Sequence, residues 1–421
     1  MKTVSISLGY KYRLYPSKDQ EFLLDHHMFI SNQAYNICLN LQQEQWENNK
    51  DLAKKDRKYF KASEIDTKVK EALNQRDLPF KTVVTQQARM QADKALKDAL
   101  IVKGRGFPKF KSSKGDKQSF TWNNQGFSLL NGDKNFKILR IMSQNIKLKY
   151  HRNIPTNAKI CALTFSRLNG KYYVSFTISC EKIVSESPLK GFSKAIGLDM
   201  NVHNIALSDG ILIPTLSKQF SEEKYSKKIV RLKRKQSRRL LVSKKKKQKL
   251  GANFKKAQRK INKIFEKSAN QKKNHYHNIS SELINIFDFI AVEDLNTKNM
   301  TKSAKGTIEK PGKMVSQKKG LNKSILNASF YEFISMLSYK ATHNGKILQK
   351  VPPQYTSKAC SCCGNINPNL TLKDRTYICE CGHKMHRDVN AAQNILRLGL
   401  ESFGPGTGLV DLKHKAFGKA S

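Results

Sequence analysis

Residues 194–213 read KAIGLDMNVHNIALSDGILI and contain two apolar segments separated by a short polar stretch. The segments KAIGLDM and NIALSDGILI predict adjacent strands of a hairpin. A third apolar segment, DFIAVEDL at 288–295, predicts a buried strand. Together these segments indicate a central sheet, and the rest of the chain is interpreted around it.

Three acidic residues stand at the ends of predicted elements. Asp199 ends the strand AIGL, Glu293 ends the strand FIAV, and Asp388 opens a helix predicted from DVNAAQNILRLGL. Each acid alone is typical of a solvated surface group or a helix N-cap. Acids at the ends of strands of one sheet converge on one edge, however, and an acid from a helix packed on that sheet can meet them. Such carboxylates could hold two Mg²⁺ ions for phosphodiester hydrolysis.

The charge of the chain is strongly unbalanced. Its 421 residues include 78 Lys and Arg against 33 Asp and Glu, which gives a formal net charge of +45. This excess predicts a polyanionic partner, with nucleic acid as the first choice and a membrane surface as the alternative. Residues 224–273 contain 22 Lys and Arg and the single acid Glu266. Because a helix with so few acids repels itself, contact with nucleic acid is favoured over a solvated helix pair.

Five of the eight cysteines lie between residues 360 and 381. CSCCG (360–364) and CECG (379–382) have the form of two metal-binding turns and predict a closed, structural Zn²⁺ site. The predicted ligands are Cys360, Cys363, Cys379 and Cys381. The second turn is one residue shorter than C-x-x-C, so Cys362, His383 or His386 could replace one of these ligands. Reduced surface thiols or a redox pair are the alternatives to a metal site.

Other stretches predict the surrounding elements. Residues 3–14 predict a strand, and residues 19–46, 62–73 and 82–102 predict helices. Short alternating segments between 117 and 182 predict strands that could close a small barrel. Residues 298–323 are rich in Lys, Gly and Ser and predict a mobile loop.

No run approaches 18 apolar residues, and the start MKTVSISLGYKYRLYP has no apolar h-region, so neither a transmembrane helix nor a signal peptide is predicted.

An ordered series of motifs resembles the TnpB family, the transposon-encoded relatives of type V CRISPR effectors. The motifs are KYRLYPSKDQ, GFPKFKS, GLDMNVHNIALSDG, FIAVEDLNTKNM, LNKSILNASFYEF, QYTSKACSCCG with ICECG, and HRDVNAAQNIL. The resemblance implies an Mg²⁺-dependent, RNA-guided DNA endonuclease with a RuvC-like domain of RNase H fold. By motif, its split acidic triad falls on Asp199, Glu293 and Asp388.

The resemblance also implies partners and a location. A guide RNA from the transposon end would pair with target double-stranded DNA beside a short flanking motif that the protein reads. The clustered cysteines indicate a reducing compartment, and the expected location is the cytoplasm of a bacterium or archaeon, in association with the nucleoid.

The implied architecture is a multidomain α+β fold. It comprises a wedge β-barrel at 1–16 and 110–188, a helical recognition domain at 17–109, a RuvC-like nuclease domain at 189–354 and 386–403, a zinc ribbon at 355–385, and a basic flexible tail at 404–421.

The sequence departs from the family pattern beside the predicted triad. Asn201 stands where the family usually has Gly, and His386 stands where it usually has Asp. Three other functions compete with the guided nuclease. They are a DNA transposase that uses RNase H-like carboxylates without RNA, a nuclease-inactive RNA-guided DNA-binding repressor, and a zinc-ribbon nucleic-acid binder. The presence of all three acids argues against the last two.

Overall fold

A computed structural model describes residues 2–102, 104–115, 117–133, 135–184, 194–216, 222–307, 309–371 and 374–403. The predicted basic tail at 404–421 and the predicted domain boundary at 188–189 lie outside these residues. The chain divides into two compact units. We call Ser5–Lys182 the N-terminal unit, and Ile183–Ser421 with Met1–Val4 the C-terminal unit.

A seven-stranded sheet forms the framework of the N-terminal unit. Its strands are β1 (Lys2–Tyr15), β2 (Gln118–Trp122), β3 (Phe127–Asn131), β4 (Phe136–Ile141), β5 (Gln144–Lys149), β6 (Lys159–Leu168) and β7 (Lys171–Val184). They lie in the order β2-β6-β7-β1-β5-β4-β3. Asn169 and Gly170, both with positive φ, make the two-residue turn between β6 and β7. In this order β2 and β3 lie at the two ends of the sheet, and closure into a barrel stays a prediction.

Three helices pack with this sheet around one core. They are α1 (Lys18–Asn49), α2 (Ala62–Asn74) and α3 (Thr82–Ile101). Ser17 caps α1, with its side chain accepting a hydrogen bond from the Gln20 amide. Leu24 and Met28 of α1 share a core with Phe120 and Phe165, whose rings stack with centroids 4.9 Å apart. The predicted strand at 3–14 and the three predicted helices are therefore confirmed as elements.

A five-stranded sheet forms the framework of the C-terminal unit. Its strands are β8 (Ala195–Met200), β9 (Asn204–Leu207), β10 (Leu212–Pro214), β11 (Phe289–Glu293) and β12 (Ile347–Val351), in the order β10-β9-β8-β11-β12. β9 pairs antiparallel with both β8 and β10, which confirms the predicted hairpin. β11 pairs parallel with β8 and with β12.

Helices cover both faces of this sheet. The helices of the C-terminal unit are α4 (Glu222–Lys245), α5 (Ala252–Ile286), α6 (Thr297–Met300), α7 (Val315–Ala328), α8 (Phe330–His343) and α9 (Arg387–Ser402), of which α5, α7, α8 and α9 contribute to the cores on the two faces. On one face, Leu283 of α5 and Phe333 of α8 pack with Leu198 and Val292 of the sheet. On the other face, Ile395 of α9 packs with Phe289 and Ala291. The mixed α and β class is confirmed.

One loop prediction is wrong in part. Residues 298–323 were expected to form a mobile loop, but α7 begins at Val315. Gly320 and the lysines obscure the helical pattern within this stretch. The buried residues of α7, Ile325 and Ala328, lie beyond it, so the apolar signal that anchors the helix falls outside the predicted loop.

The cysteine-rich segment lies between β12 and α9 in the chain. It contains the antiparallel pair β13 (Thr376–Ile378) and β14 (Lys384–His386) and an isolated bridge between Ala359 and Ile366. None of the helices in the described part of the chain combines the length and the apolar character that a membrane span requires.

Candidate functional site

Asp199 and Glu293 lie on the same face of the five-stranded sheet. Side chains alternate along a strand, and Leu198 of β8 and Val292 of β11 point toward α5 and α8. The following residue on each strand, Asp199 or Glu293, therefore points to the opposite face. Leu198 and Val292 are partners in the parallel register. The next residues, Asp199 and Glu293, therefore lie side by side on neighbouring strands.

Helix α9 brings the third acid to this face. Asp388 lies in the first turn of α9 and is 8% exposed. The helix lies very close to the sheet, because a Cβ built on Gly399 would come 2.6 Å from the Ala291 Cβ. His386 caps the helix, with its Nδ1 accepting from the Asp388 amide at 3.3 Å. The structure thus brings the three predicted acids to one face, and gives His386 a capping contact.

Burial and mutual repulsion act on these carboxylates. Burial above all, and then the negative charges of Glu293 and Asp388, raise the pKa of Asp199 to about 7. Asn201 Nδ2 donates to Asp199 Oδ2 at 2.8 Å, and this hydrogen bond lowers the pKa of Asp199. Burial also raises the pKa of Glu293, whereas a hydrogen bond from Thr356 lowers it. A bound cation would relieve the repulsion that these shifts record.

The donor set suits hard divalent cations. Carboxylate oxygens are the ligands that Mg²⁺ prefers in proteins, and Asp199 is only 9% exposed. Among the described residues, the cysteine cluster alone brings three or more potential ligand atoms within 4.8 Å of one another. As a group, the three carboxylates are therefore spaced more widely than the four thiols.

Four of the five clustered cysteines come together, and they are the four predicted ligands. The Sγ atoms of Cys360, Cys363, Cys379 and Cys381 all lie within 4.8 Å of one another. Cys360 and Cys381 are 3.8 Å apart, and Cys363 and Cys379 are 3.6 Å apart. A tetrahedral site with Zn–S bonds of about 2.3 Å requires sulfurs about 3.8 Å apart. The thiols therefore fit a zinc ion.

The groups that could have replaced these ligands have other surroundings. Cys362 is exposed and lies outside the cluster. His383 Nε2 lies 3.1 Å from Ser361 Oγ, and His386 caps α9. The histidines therefore lie beside the cysteine cluster without joining it.

The two cysteine turns differ in length by one residue, but each ends in a glycine of the same conformation and is closed by a backbone hydrogen bond. Gly364 and Gly382 both have φ of +83°, a conformation that favours glycine. The Gly364 amide donates to the Cys360 carbonyl at 2.9 Å, and the Gly382 amide donates to the Cys379 carbonyl at 3.0 Å. A hydrogen bond from the backbone amide of Asn365, together with hydrogen bonds from the other three clustered thiols, lowers the pKa of the Cys363 thiol to about 7. The shorter second turn is therefore a complete turn, and the site contains a thiol that ionises readily.

The most basic part of the sequence folds as two contacting helices. Leu232 of α4 packs with Ile261 and Ile264 of α5, and Gln236 Nε2 donates to Gln258 Oε1 at 2.8 Å. The helical character predicted for 224–273 is confirmed. This contact buries few residues, so most of the Lys and Arg side chains stay exposed.

Sequence reasoning missed three polar residues that lie between Glu293 and the first cysteine turn. Thr356, Asn390 and Asn394 are buried and hydrogen-bonded within this region. Asn390 and Asn394 are four residues apart in α9, among buried apolar positions of the same helix. Polar residues at helical spacing within an apolar face could have indicated them.

The fold of the chain is shared with Cas12f1. A solved Cas12f1 structure, in complex with single-guide RNA and target DNA, has a TM-score of 0.58 to this chain at 16% identity, and covers 96% of this chain and 99% of its own. Three family models also match: a helix-turn-helix domain at residues 1–51, a probable transposase at 177–304, and a Cas12f1-like TNB domain at 330–395. Within the described part of the first range, residues 2–51 contain β1 and the single helix α1.

The chain belongs to the TnpB family. It is 30% identical over 316 residues to the putative RNA-guided DNA endonuclease InsQ of Escherichia coli (strain K12), covering 75% of this chain and 73% of InsQ. It is 26% identical over 410 residues to a putative RNA-guided DNA endonuclease of Streptomyces pristinaespiralis, covering 96% of this chain and 92% of that protein. These matches confirm the family to which the motifs pointed.

Proposed function

We propose that this chain is an RNA-guided DNA endonuclease of transposon origin. The observation that carries the proposal is the meeting of Asp199, Glu293 and Asp388 on one face of the five-stranded sheet. Even in a chain of net charge +45, three acids on one face would repel phosphate unless cations lie between them. The names of the relatives support the same activity.

Asp199, Glu293 and Asp388 would hold two Mg²⁺ ions. When bound, such ions activate water and stabilise the leaving oxygen of a phosphodiester. The chain itself orients the ligands. Asn201 donates a hydrogen bond to Asp199, and Thr356 donates one to Glu293. One oxygen of each of these two carboxylates is therefore held by a protein side chain. The predicted RuvC-like domain at 189–354 and 386–403 would contain Asn201 and the three acids, whereas Thr356 falls in the predicted ribbon at 355–385.

Cys360, Cys363, Cys379 and Cys381 would hold a structural Zn²⁺. The spacing of their sulfurs supports this assignment. Because the four thiols would complete the tetrahedron, this ion would have no open position for substrate. It would stabilise the fold of the predicted ribbon at 355–385.

Nucleic acids would be the partners of the basic surface. The exposed Lys and Arg of α4 and α5 would contact backbone phosphates of guide RNA or target DNA. The guide would come from the transposon end, and its pairing with double-stranded DNA would select the target beside a short flanking motif. The predicted wedge at 1–16 and 110–188 and the recognition domain at 17–109 would supply further contacts, and the protein would act in the cytoplasm.

The decisive experiment is guided plasmid cleavage with neighbouring acid variants. RNA that copurifies with the protein is sequenced and supplies the guide. Glu293→Gln should abolish cleavage, because it removes a metal ligand. It should retain guided DNA binding, because it removes one negative charge and no positive charge. Asp294→Asn is the matched control and should cleave like the wild type, because Asp294 is exposed and pairs with Lys350 at 3.1 Å. Wild-type cleavage by Glu293→Gln would overturn the triad assignment.

A transposase is the second candidate, favoured by the probable-transposase model that matches residues 177–304. It predicts joining of transposon ends to a target in the absence of RNA. Strand-transfer products formed without RNA would support this candidate. Cleavage that requires a matching guide would exclude it as the main activity.

A further inference from the structure

The segment 353–361 runs between Glu293 and helix α9 and is hydrogen-bonded to both. Thr356 is 3% exposed, and its Oγ1 donates to Glu293 Oε1 at 2.5 Å. The hydroxyl oxygen of Thr356 also lies 3.2 Å from the carbonyl oxygen of Pro353. The preceding residue, Tyr355, has φ of +61°, a left-handed conformation that costs free energy in a non-glycine residue. The chain therefore adopts a strained turn at the residue before the hydroxyl that contacts Glu293.

Two buried asparagines of α9 hold this segment by its backbone. Asn394 Nδ2 donates to the carbonyls of Thr356, at 2.9 Å, and Ala359, at 2.7 Å. Asn390 Nδ2 also donates to the Ala359 carbonyl at 2.7 Å, and its Oδ1 accepts from the Ser361 amide at 2.9 Å. Ala359 and Ser361 flank Cys360. The two amides thus connect α9, which carries Asp388, to the first cysteine turn.

The orientation of the Asn394 amide is itself set by the protein. Arg397 Nη2 donates to Asn394 Oδ1 at 3.2 Å, so the Nδ2 group is the one that faces the segment. A buried amide in this position cannot be replaced by water without opening the helix–segment contact, because both asparagines are almost fully enclosed. The contacts are therefore specific for side-chain amides and for this course of the backbone.

We propose that Thr356 is a positioning residue for Glu293, and that Asn390 and Asn394 tie Thr356 to the first cysteine turn and to α9. Glu293, the first cysteine turn and α9 then form one hydrogen-bonded assembly. A disturbance of the cysteine turn shifts the Thr356 hydroxyl and hence the Glu293 carboxylate. This inference rests on the proposed function only in taking Glu293 as a ligand of divalent cations.

The first test measures Mn²⁺ affinity of the full-length, RNA-free protein by electron paramagnetic resonance. Thr356→Val, which keeps the side-chain shape and removes the hydroxyl, should bind Mn²⁺ about ten-fold more weakly, as is usual when a ligand loses its outer hydrogen-bond partner. Thr356→Ser should restore wild-type affinity. Thr342→Val is the matched control, because Thr342 Oγ1 donates only to the Ser338 carbonyl within α8. If Thr356→Val does not fold, Thr356→Ala serves as the variant that lacks the hydroxyl.

A double-mutant comparison separates positioning from a general structural role. Thr356→Val should have no further effect on Mn²⁺ binding in a Glu293→Gln background, since Thr356 acts through that carboxylate. Equal affinity of Thr356→Val and Thr342→Val would overturn the inference. So would failure of Thr356→Ser to restore binding, or an undiminished effect in the Glu293→Gln background.

The connection to the cysteine turn has its own test. Cys360→Ser should lower Mn²⁺ affinity, whereas Cys362→Ser should not, because Cys362 lies outside the cluster. Unchanged affinity in Cys360→Ser would overturn the connection. These outcomes differ from failure of the proposed function, which would appear as wild-type protein that binds Mn²⁺ but does not cleave guided DNA.

Discussion

Gly197 of β8 lies against the backbone of Ala392 in α9, and a Cβ built on Gly197 would come 2.1 Å from the Ala392 carbonyl oxygen. The same Cβ would come 2.8 Å from the Cβ of Leu396. Only glycine allows the helix to approach the strand this closely. Asp199, two residues after Gly197, and Asp388, four residues before Ala392, owe their proximity to this contact.

We expect Gly197→Ala to destabilise the C-terminal unit by about 2 kcal/mol or more, because backbone rather than a flexible side chain must move. It should also lower cleavage by displacing Asp388 from Asp199. Thermal unfolding and guided cleavage are the measurements. Gly320→Ala is the control, since nothing lies within 4 Å of a Cβ there, and alanine should stabilise α7 by about 0.5–1 kcal/mol. Equal stability of the two variants would contradict the close contact.

The stability of the metal-free protein should depend on pH through Asp199. The carboxyl has a pKa of about 7 when folded, against an ordinary value of 3.8. Between these values the folded state keeps a proton that the unfolded chain has released, so the contribution of Asp199 to stability is most favourable below about pH 3.8 and declines as the pH rises to about 7. Asp199→Asn removes this dependence.

We therefore expect the stability of Asp199→Asn relative to the wild type to increase by about 3 kcal/mol between pH 5 and pH 8. The measurement is denaturant unfolding in the presence of a chelator. Added Mg²⁺ at pH 8 should stabilise the wild type and not the variant, because the cation replaces the proton. Parallel pH profiles for the two proteins would show that Asp199 is not the titrating group.

Zinc content should distinguish the adjacent cysteines. Cys379→Ser should contain less zinc than the wild type, which we expect to carry one ion per chain, and its C-terminal unit should unfold more readily. Cys362→Ser should keep both the zinc and the stability, because its thiol lies outside the cluster. Elemental analysis and thermal unfolding measure the two properties. Loss of zinc from Cys362→Ser would instead place that thiol among the ligands.

Binding of RNA should depend steeply on salt through the basic helices. Arg234 and Arg238 are exposed on α4, one turn apart. Replacing both with Gln should reduce the slope of log affinity against log salt concentration by about 1.5, since each lost phosphate contact removes about 0.7–0.9. The charge-conserving Arg234→Lys, Arg238→Lys protein is the control. An unaltered slope in the Gln variant would mean that these arginines do not contact phosphate.

Much of the C-terminal unit could be predicted from short-range patterns. The apolar runs before Asp199 and Glu293 predicted β8 and β11, and the position of each acid at the end of its run predicted that the two would meet at one edge of the sheet. The spacing of the cysteines predicted a cluster of four thiols. The loop predicted over 298–323 failed where Gly and Lys hid the helical period of α7, whose buried residues lie later in the chain.

The sequence by itself determined the strands, the acids that end them, the cysteine turns and the excess of positive charge, because each of these depends on residues close together in the chain. Only the tertiary structure decided which cysteines join the cluster and how α9 approaches the sheet. It also decided that Thr356, Asn390 and Asn394 connect Glu293 to the cysteine turn. Contacts such as Thr356 with Glu293 join residues far apart in the chain, and their partners are set by packing geometry that no local pattern specifies.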